Sequence, residues 1–251
     1  MTFLENGNGL VQNSEAWYKW RQYHIGASDV PSVMGTSDFG NAYGVFVAKT
    51  QGALNNPINN FATLRGKELE PVIIAKFEES FNYRTTQPSF EFQKWKVMSA
   101  SLDGWIEESR FIVEAKAPSR IKHIQALCGI VPATYVDQVQ SQLLVADGKK
   151  CYYVSYHPDE PPGFDLAVVE VFPDIKRQDQ IWSLCTYFWE LVKSGEWNEE
   201  AFKAAQDATK EQPCRLFSNL STGEIRPPVC RPRKQSTQPQ PCESESSSAF
   251  E

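Results

Sequence analysis

An aspartate followed, about one β-hairpin later, by Glu-x-Lys is the part of this chain best equipped for chemistry. Asp103 stands in Ser101-Leu102-Asp103-Gly104, and Glu114 and Lys116 stand in Val113-Glu114-Ala115-Lys116. Residues two apart on a strand project to one face, so Glu114 and Lys116 share a face that a hairpin brings beside Asp103. Crowded carboxylates repel, and a proton or a cation must relieve them. A hard cation with oxygen ligands, Mg²⁺ or Mn²⁺, suits the set. Such a cation lowers the pKa of bound water and stabilises charge on a phosphoryl oxygen, while Lys116 can hold the attacking water and neutralise developing charge. Two readings fit these residues taken alone: metal-assisted phosphodiester hydrolysis, and a surface hairpin with a cross-strand ion pair.

Other residues could complete such a site. Glu70, in Gly66-Lys67-Glu68-Leu69-Glu70-Pro71, is a candidate third carboxylate facing the sheet. An acid complementing the helix dipole is the alternative, and it fits Glu68 at least as well. Gln138 and Gln140 follow Tyr135 in a helical stretch rich in Val and Leu. They could orient water or a phosphate, or be ordinary surface glutamines. Trp17, Arg21 and Gly26-Ala27-Ser28-Asp29 form the other unusual segment. Arg21 can fork onto a phosphate, and Ser28 with a helix N-terminus behind it offers a hydroxyl and backbone N–H groups. A surface arginine with a plain N-cap fits as well.

These side chains need elements to hold them. A helix opens at Glu15-Ala16-Trp17 and ends before Gly26, and Ser28 caps a short helix containing Val30, Val33 and Met34. Residues 43–49 read as a helix, and 64–81 as a strong one with Leu69, Val72, Ile73 and Phe77 on one face and Pro71 in its first turns. Residues 97–106 and 111–115 read as two strands of a hairpin. Pro132 opens a helix through Leu143 and Leu144 to Gly148, residues 151–156 and 166–172 are strands, and a last long helix carries Ile181, Leu184, Phe188 and Leu191. The fold class predicted is α/β, with a small mixed central sheet flanked by helices. From about Pro213 the chain becomes rich in Pro and Ser and poor in periodic apolar residues. A folded domain over 1–212 and a disordered tail over 213–251 are therefore predicted.

The 251 residues are 41% hydrophobic, enough for a sizeable core. No apolar run has the length of a membrane span, and Met1 to Gly7 lacks the basic and apolar regions of a signal peptide. A cytoplasmic protein without membrane contact is expected. A net charge of −6 argues against a non-specific basic coat for nucleic acid, although a local basic groove is compatible with it. The six cysteines form no CxxC pair, so zinc and iron–sulfur spacings are absent and reduced thiols are expected.

Taken in order, these segments resemble the phage lambda exonuclease and YqaJ-type viral recombinase nucleases of the PD-(D/E)xK superfamily. The matching stretches are Trp17…Arg21…Gly26-Ala27-Ser28-Asp29, Gly66 to Pro71, Ser101 to Gly104, Val113 to Lys116 and Tyr135 to Gln140. The resemblance implies a restriction-endonuclease-like core. It also implies Mg²⁺, with Mn²⁺ possible, on Asp103, Glu114, the Ala115 carbonyl and Glu70. Lys116 would position the nucleophilic water, assisted by Gln138, and Arg21, Ser28, Ser101 and Gln140 would contact phosphate or DNA. The implied activity is 5′→3′ degradation of one strand at double-stranded DNA ends, leaving a 3′ overhang for a single-strand annealing recombinase protein. A phage or prophage origin in the host cytoplasm and a ring-shaped homotrimer come with the resemblance. Leu102 departs from the superfamily's proline. The alternatives are an endonuclease on the same fold and a non-catalytic DNA-end-binding or recombinase-loading module.

Overall fold

A computed structural model describes residues 10–51 and 61–211. The predicted tail over 213–251 lies outside the described residues. In chain order the elements are α1 (Glu15–Gln22), β1 (Ile25–Gly26), α2 (Val30–Met34), α3 (Ala42–Thr50), α4 (Phe61–Phe81), β2 (Ser89–Glu91), β3 (Met98–Ser101), β4 (Gly104–Ile106), β5 (Phe111–Lys116), α5 (Arg120–Leu127), α6 (Ala133–Val145), β6 (Lys150–Tyr156), β7 (Leu166–Val171), α7 (Ile175–Ser194) and α8 (Glu199–Glu211). The mixed α/β class is as predicted, but the strands form two small sheets. One has the order β1-β3-β2 and the other β4-β5-β6-β7. β1 runs parallel to β3, and β5 runs parallel to β6, while the remaining pairs are antiparallel.

The predicted strand 97–106 is two strands, and the break falls at Leu102-Asp103. β3 pairs with β2, whereas β4 pairs with β5. Local contacts explain the switch. Leu102 is fully buried, and its N–H donates to the Pro88 carbonyl at 3.0 Å. Asp103 takes the Ala115 N–H on its carboxylate at 2.9 Å. Gly104 then passes close to β5, where a Cβ would stand 2.9 Å from that of Val113. Asp103 therefore sits between sheets, not late in a strand.

Strand alternation divides the core. Val113 and Ala115 of β5, with Tyr152 and Val154 of β6, pack against Ile73 and Phe77 of α4. Ile112, Cys151 and Tyr153 belong to a larger core with Val139 and Leu143 of α6, Val30 and Val33 of α2, and Ile181, Leu184 and Phe188 of α7. The four apolar positions predicted on the last long helix accordingly face inward, Leu191 only partly. α4 starts at Phe61, so Pro71 lies in mid-helix and not in the first turns. Its missing N–H leaves the Lys67 carbonyl without its helical donor. Val72, expected on the buried face, is 40% exposed.

α6 is fixed by a buried ion pair. Arg177 grips both oxygens of Asp137 at 2.5 and 2.7 Å, and Thr36 Oγ1 donates to the same carboxylate at 2.6 Å. α6 is thereby tied to α7 and to the loop after α2. Asp29, not Ser28, occupies the N-cap position of α2, and its side chain makes no cap bond. Among the described residues no helix is long and apolar enough to cross a membrane.

Candidate active site

β5 supplies the centre of the site. On the pleat, Glu114 and Lys116 emerge on the same face as Ile112, toward α6. Glu114 is only 1% exposed, and three cationic or amide donors surround it. Its Oε1 accepts from Lys116 Nζ and from Gln138 Nε2, the latter at 2.5 Å, and its Oε2 accepts from Gln142 Nε2 at 2.5 Å. A buried carboxylate is costly unless fully hydrogen-bonded, and these donors hold both oxygens. Lys116 also lies over the Tyr135 ring, 5.6 Å from its centroid.

The electrostatics show a crowded cluster. Burial, then the charge of Glu114, then that of Glu70 push Asp103 well above the ordinary aspartate range, against the pull of Lys116 and the Ala115 N–H. Burial and Glu114 likewise raise Glu70, with Lys116 and a 3.3 Å hydrogen bond from Gln87 opposing. Burial favours loss of the Lys116 proton, but Glu114 and Asp103 more than offset it. Lys116 thus stays an ammonium. Glu70 joins the cluster while Glu68 is exposed, which decides between the two acids of that turn. Cys151, buried nearby, has its thiol pushed up by burial and by Glu114 and Asp103, and it is a packing residue.

A cleft of about 140 Å³ opens beside this cluster. Its lining includes Asp103, Gln138 and Gln142 together with Trp17, Arg21, Ser28 and Ser101. Arg21 lies over the Trp17 ring at 4.8 Å and donates from Nη2 to Ser28 Oγ at 2.7 Å. Trp17 Nε1 donates to Ser101 Oγ at 2.9 Å, and Ser89 Oγ meets the same hydroxyl at 2.9 Å. Behind Arg21, Asp29 takes the Gly26 N–H at 3.0 Å and an ion pair from Lys49 at 2.9 Å. Arg21 and Ser28 thus meet in the lining of the cleft.

Most predicted site residues come together: Asp103, Glu114, Lys116, Glu70 and Gln138 in the cluster, and Arg21, Ser28 and Ser101 in the lining of the cleft beside it. Gln140 does not. It points away from the cleft, donating to the Phe172 carbonyl at 2.9 Å and accepting from the Asp174 N–H at 2.9 Å. Helix neighbours on one face are three or four residues apart, not two. The partner of Gln138 is therefore Gln142, which the sequence reading missed and which that same spacing marks.

Asp103, Glu114, Glu70 and the Ala115 carbonyl are oxygen donors of the kind Mg²⁺ takes, and that ion commonly uses one or two carboxylates and keeps several waters. Among the described residues no three His, Cys, Asp or Glu side chains form a ready metal cage. Two features nevertheless fit a hydrated divalent cation. The charge of Glu114 raises both Asp103 and Glu70, and Glu70 also raises Asp103, a repulsion that a cation relieves. Gln142 Oε1 is buried without a hydrogen-bond partner among the described residues, an acceptor open to a bound water.

Residues 16–149 match the family model of the YqaJ-like viral recombinase domain. All the clustered residues fall within that span. The fold is similar to that of an alkaline exonuclease from Laribacter hongkongensis, with a TM-score of 0.64 and 23% identity over 78% of this chain and 99% of that one. The structure of that enzyme in complex with dAMP matches with a TM-score of 0.63 at 22% identity, over 78% and 99%. A phage related exonuclease from Haemophilus somnus 129PT matches with a TM-score of 0.51 at 14% identity, over 71% and 100%. No curated protein sequence matches the chain.

Proposed function

This chain belongs to the YqaJ-like viral recombinase domain family, and from that premise we propose that it is a divalent-metal-dependent exonuclease acting on ends of double-stranded DNA. It degrades the 5′-ended strand 5′→3′ and leaves a 3′ overhang for a single-strand annealing partner. The observation that carries the reading is that the Asp103–Glu114–Glu70–Lys116 cluster adjoins a cleft lined by Asp103, Arg21 and Ser28 together.

Asp103, Glu114, Glu70 and the Ala115 carbonyl would hold Mg²⁺ or Mn²⁺. Such an ion, when bound, supplies an activated water and offsets phosphoryl charge. Lys116 keeps its proton, so it orients the water and balances negative charge instead of acting as the base. Gln138 and Gln142 fix the Glu114 carboxylate in one orientation. Arg21 and Ser28 seat the phosphate at the 5′ end, which sets how far along the strand the cut falls. The dAMP complex of the Laribacter hongkongensis relative supports a nucleoside monophosphate as the released unit.

Digestion of 5′-phosphorylated linear duplex against covalently closed circular duplex, with Mg²⁺ or with a chelator, tests the proposal. Linear DNA should be consumed only with the metal, and circles should survive. Asp103→Asn should abolish release, and Lys116→Ala should slow it by about 10²- to 10⁴-fold. Cutting of circles would make the protein an endonuclease. End binding without nucleotide release would make it a loading module.

A further inference from the structure

Behind Arg21 lies a charge arrangement that the chemistry above does not use. Lys49, on α3, has a side chain only 6% exposed, and its Nζ bonds two acceptors: Asp29 Oδ2 at 2.9 Å and the Arg21 carbonyl at 3.0 Å. The second oxygen of Asp29 is the one that Arg21 reaches, and only loosely, at 3.4 Å. Arg21 makes its short bond, 2.7 Å, to the neutral Ser28 hydroxyl. Two cations thus share one carboxylate, and the nearer cation is the one away from the cleft. Lys49 does not line the cleft.

Arginine and a carboxylate left alone form a tight two-pronged pair. Asp29 is positioned to make that pair with Arg21, which would cancel the positive charge facing the cleft. We propose that Lys49 is a positioning residue that occupies Asp29 and so keeps the Arg21 guanidinium free for a terminal phosphate. Loss of Lys49 would then weaken the hold on a 5′-phosphate and leave ends that carry a 5′-hydroxyl unaffected. Lys49 also ties α3 to the end of α1 through the Arg21 carbonyl. This inference rests on reading the cleft as the seat of a terminal phosphate.

The test compares KM and kcat on linear duplex with a 5′-phosphate or a 5′-hydroxyl for wild type, Lys49→Met, Asp29→Asn and the double variant, in Mg²⁺. Wild type should favour the phosphorylated end. Lys49→Met should raise KM for that end by about 10- to 100-fold, the scale of one lost charge-assisted hydrogen bond, with kcat little changed and the hydroxyl end unaffected. Adding Asp29→Asn to Lys49→Met should restore the preference, because the competing anion is gone. A structural role alone would not produce that rescue. Asp29→Asn by itself leaves both cations in place and should tighten binding of inorganic phosphate, measured by titration calorimetry, by about three- to tenfold. That arm stands even if Lys49→Met does not fold. Retained preference in Lys49→Met, absence of rescue in the double variant, or weaker phosphate binding by Asp29→Asn each overturns the proposal. A wild-type enzyme indifferent to the 5′ group would instead remove the terminal-phosphate reading and this inference with it.

Discussion

Gln142→Leu isolates what the amides do for the buried carboxylate. The substitution keeps most of the side-chain volume but removes the 2.5 Å hydrogen bond to Glu114 Oε2. Glu114 is 1% exposed, so water cannot readily replace that donor. A hydrogen bond to a charged group contributes about 1.5–3 kcal/mol. The orphaned oxygen therefore costs about 2–3 kcal/mol of stability, and in a domain of this size the melting temperature should fall by about 4–12 °C. The rate should fall further than stability alone explains, by about 10- to 100-fold, since a carboxylate free to turn loses its aim. Gln140→Leu is the matched control. It breaks bonds to Phe172 and Asp174 outside the cleft, so it should lower stability to a similar degree and leave the rate per folded molecule intact. Urea titration and initial rates of duplex digestion, both in Mg²⁺, separate the two effects. Full activity in Gln142→Leu, or an equal rate loss in Gln140→Leu, would refute the division of labour between the two glutamines.

Two further outcomes are expected. Leu102→Pro, which would restore the superfamily's residue, should destabilise the protein by about 3 kcal/mol or more, because it deletes the N–H donated to Pro88 and a fully buried side chain; unchanged thermal melting would show that the strand switch tolerates proline. Burial would raise Asp29, but Lys49 and Arg21 hold it below its ordinary range, so its contribution to stability is present above the unfolded value of about 4 and is lost as pH falls through the lower native value. Wild type should therefore melt higher than Asp29→Asn at neutral pH, with the gap closing below about pH 4; a gap that widens in acid would contradict the assignment.

The parts of the site legible in the sequence were those governed by local geometry. Alternation along Phe111–Lys116 placed Glu114 and Lys116 together while sending Val113 to a core. Arg21 and Ser28, seven residues apart, also meet as expected. The pattern was insufficient where tertiary contacts decide. The strand-like pattern from 97 to 106 conceals a change of pairing partner at Leu102-Asp103, which β2 and β5 impose from either side. β1 and β2, two and three residues long, are too short for alternation to register. Gln142 was within reach of helical spacing, whereas Lys49 was not, since its role depends on α3 arriving behind Arg21. α5 buries His123 and Ala126 while Ile121 and Ile124 are exposed, so apolar periodicity does not mark that helix.

The parallel pairing of β1 with β3 has a consequence for the order in which the cleft is assembled. Ile25 and Gly26 lie opposite Met98 and Ser99, so the strand leading to Ser28 is inserted beside a partner more than seventy residues later in the chain. Contacts between such distant segments form late, because loop closure must come first. The β4–β5 hairpin can bring Asp103 and Glu114 together locally, whereas the segment bearing Arg21 and Ser28 depends on the long-range β1–β3 pairing. A chain in which β1 has yet to pair with β3 would have Asp103 beside Glu114 without Arg21 and Ser28 set at the cleft.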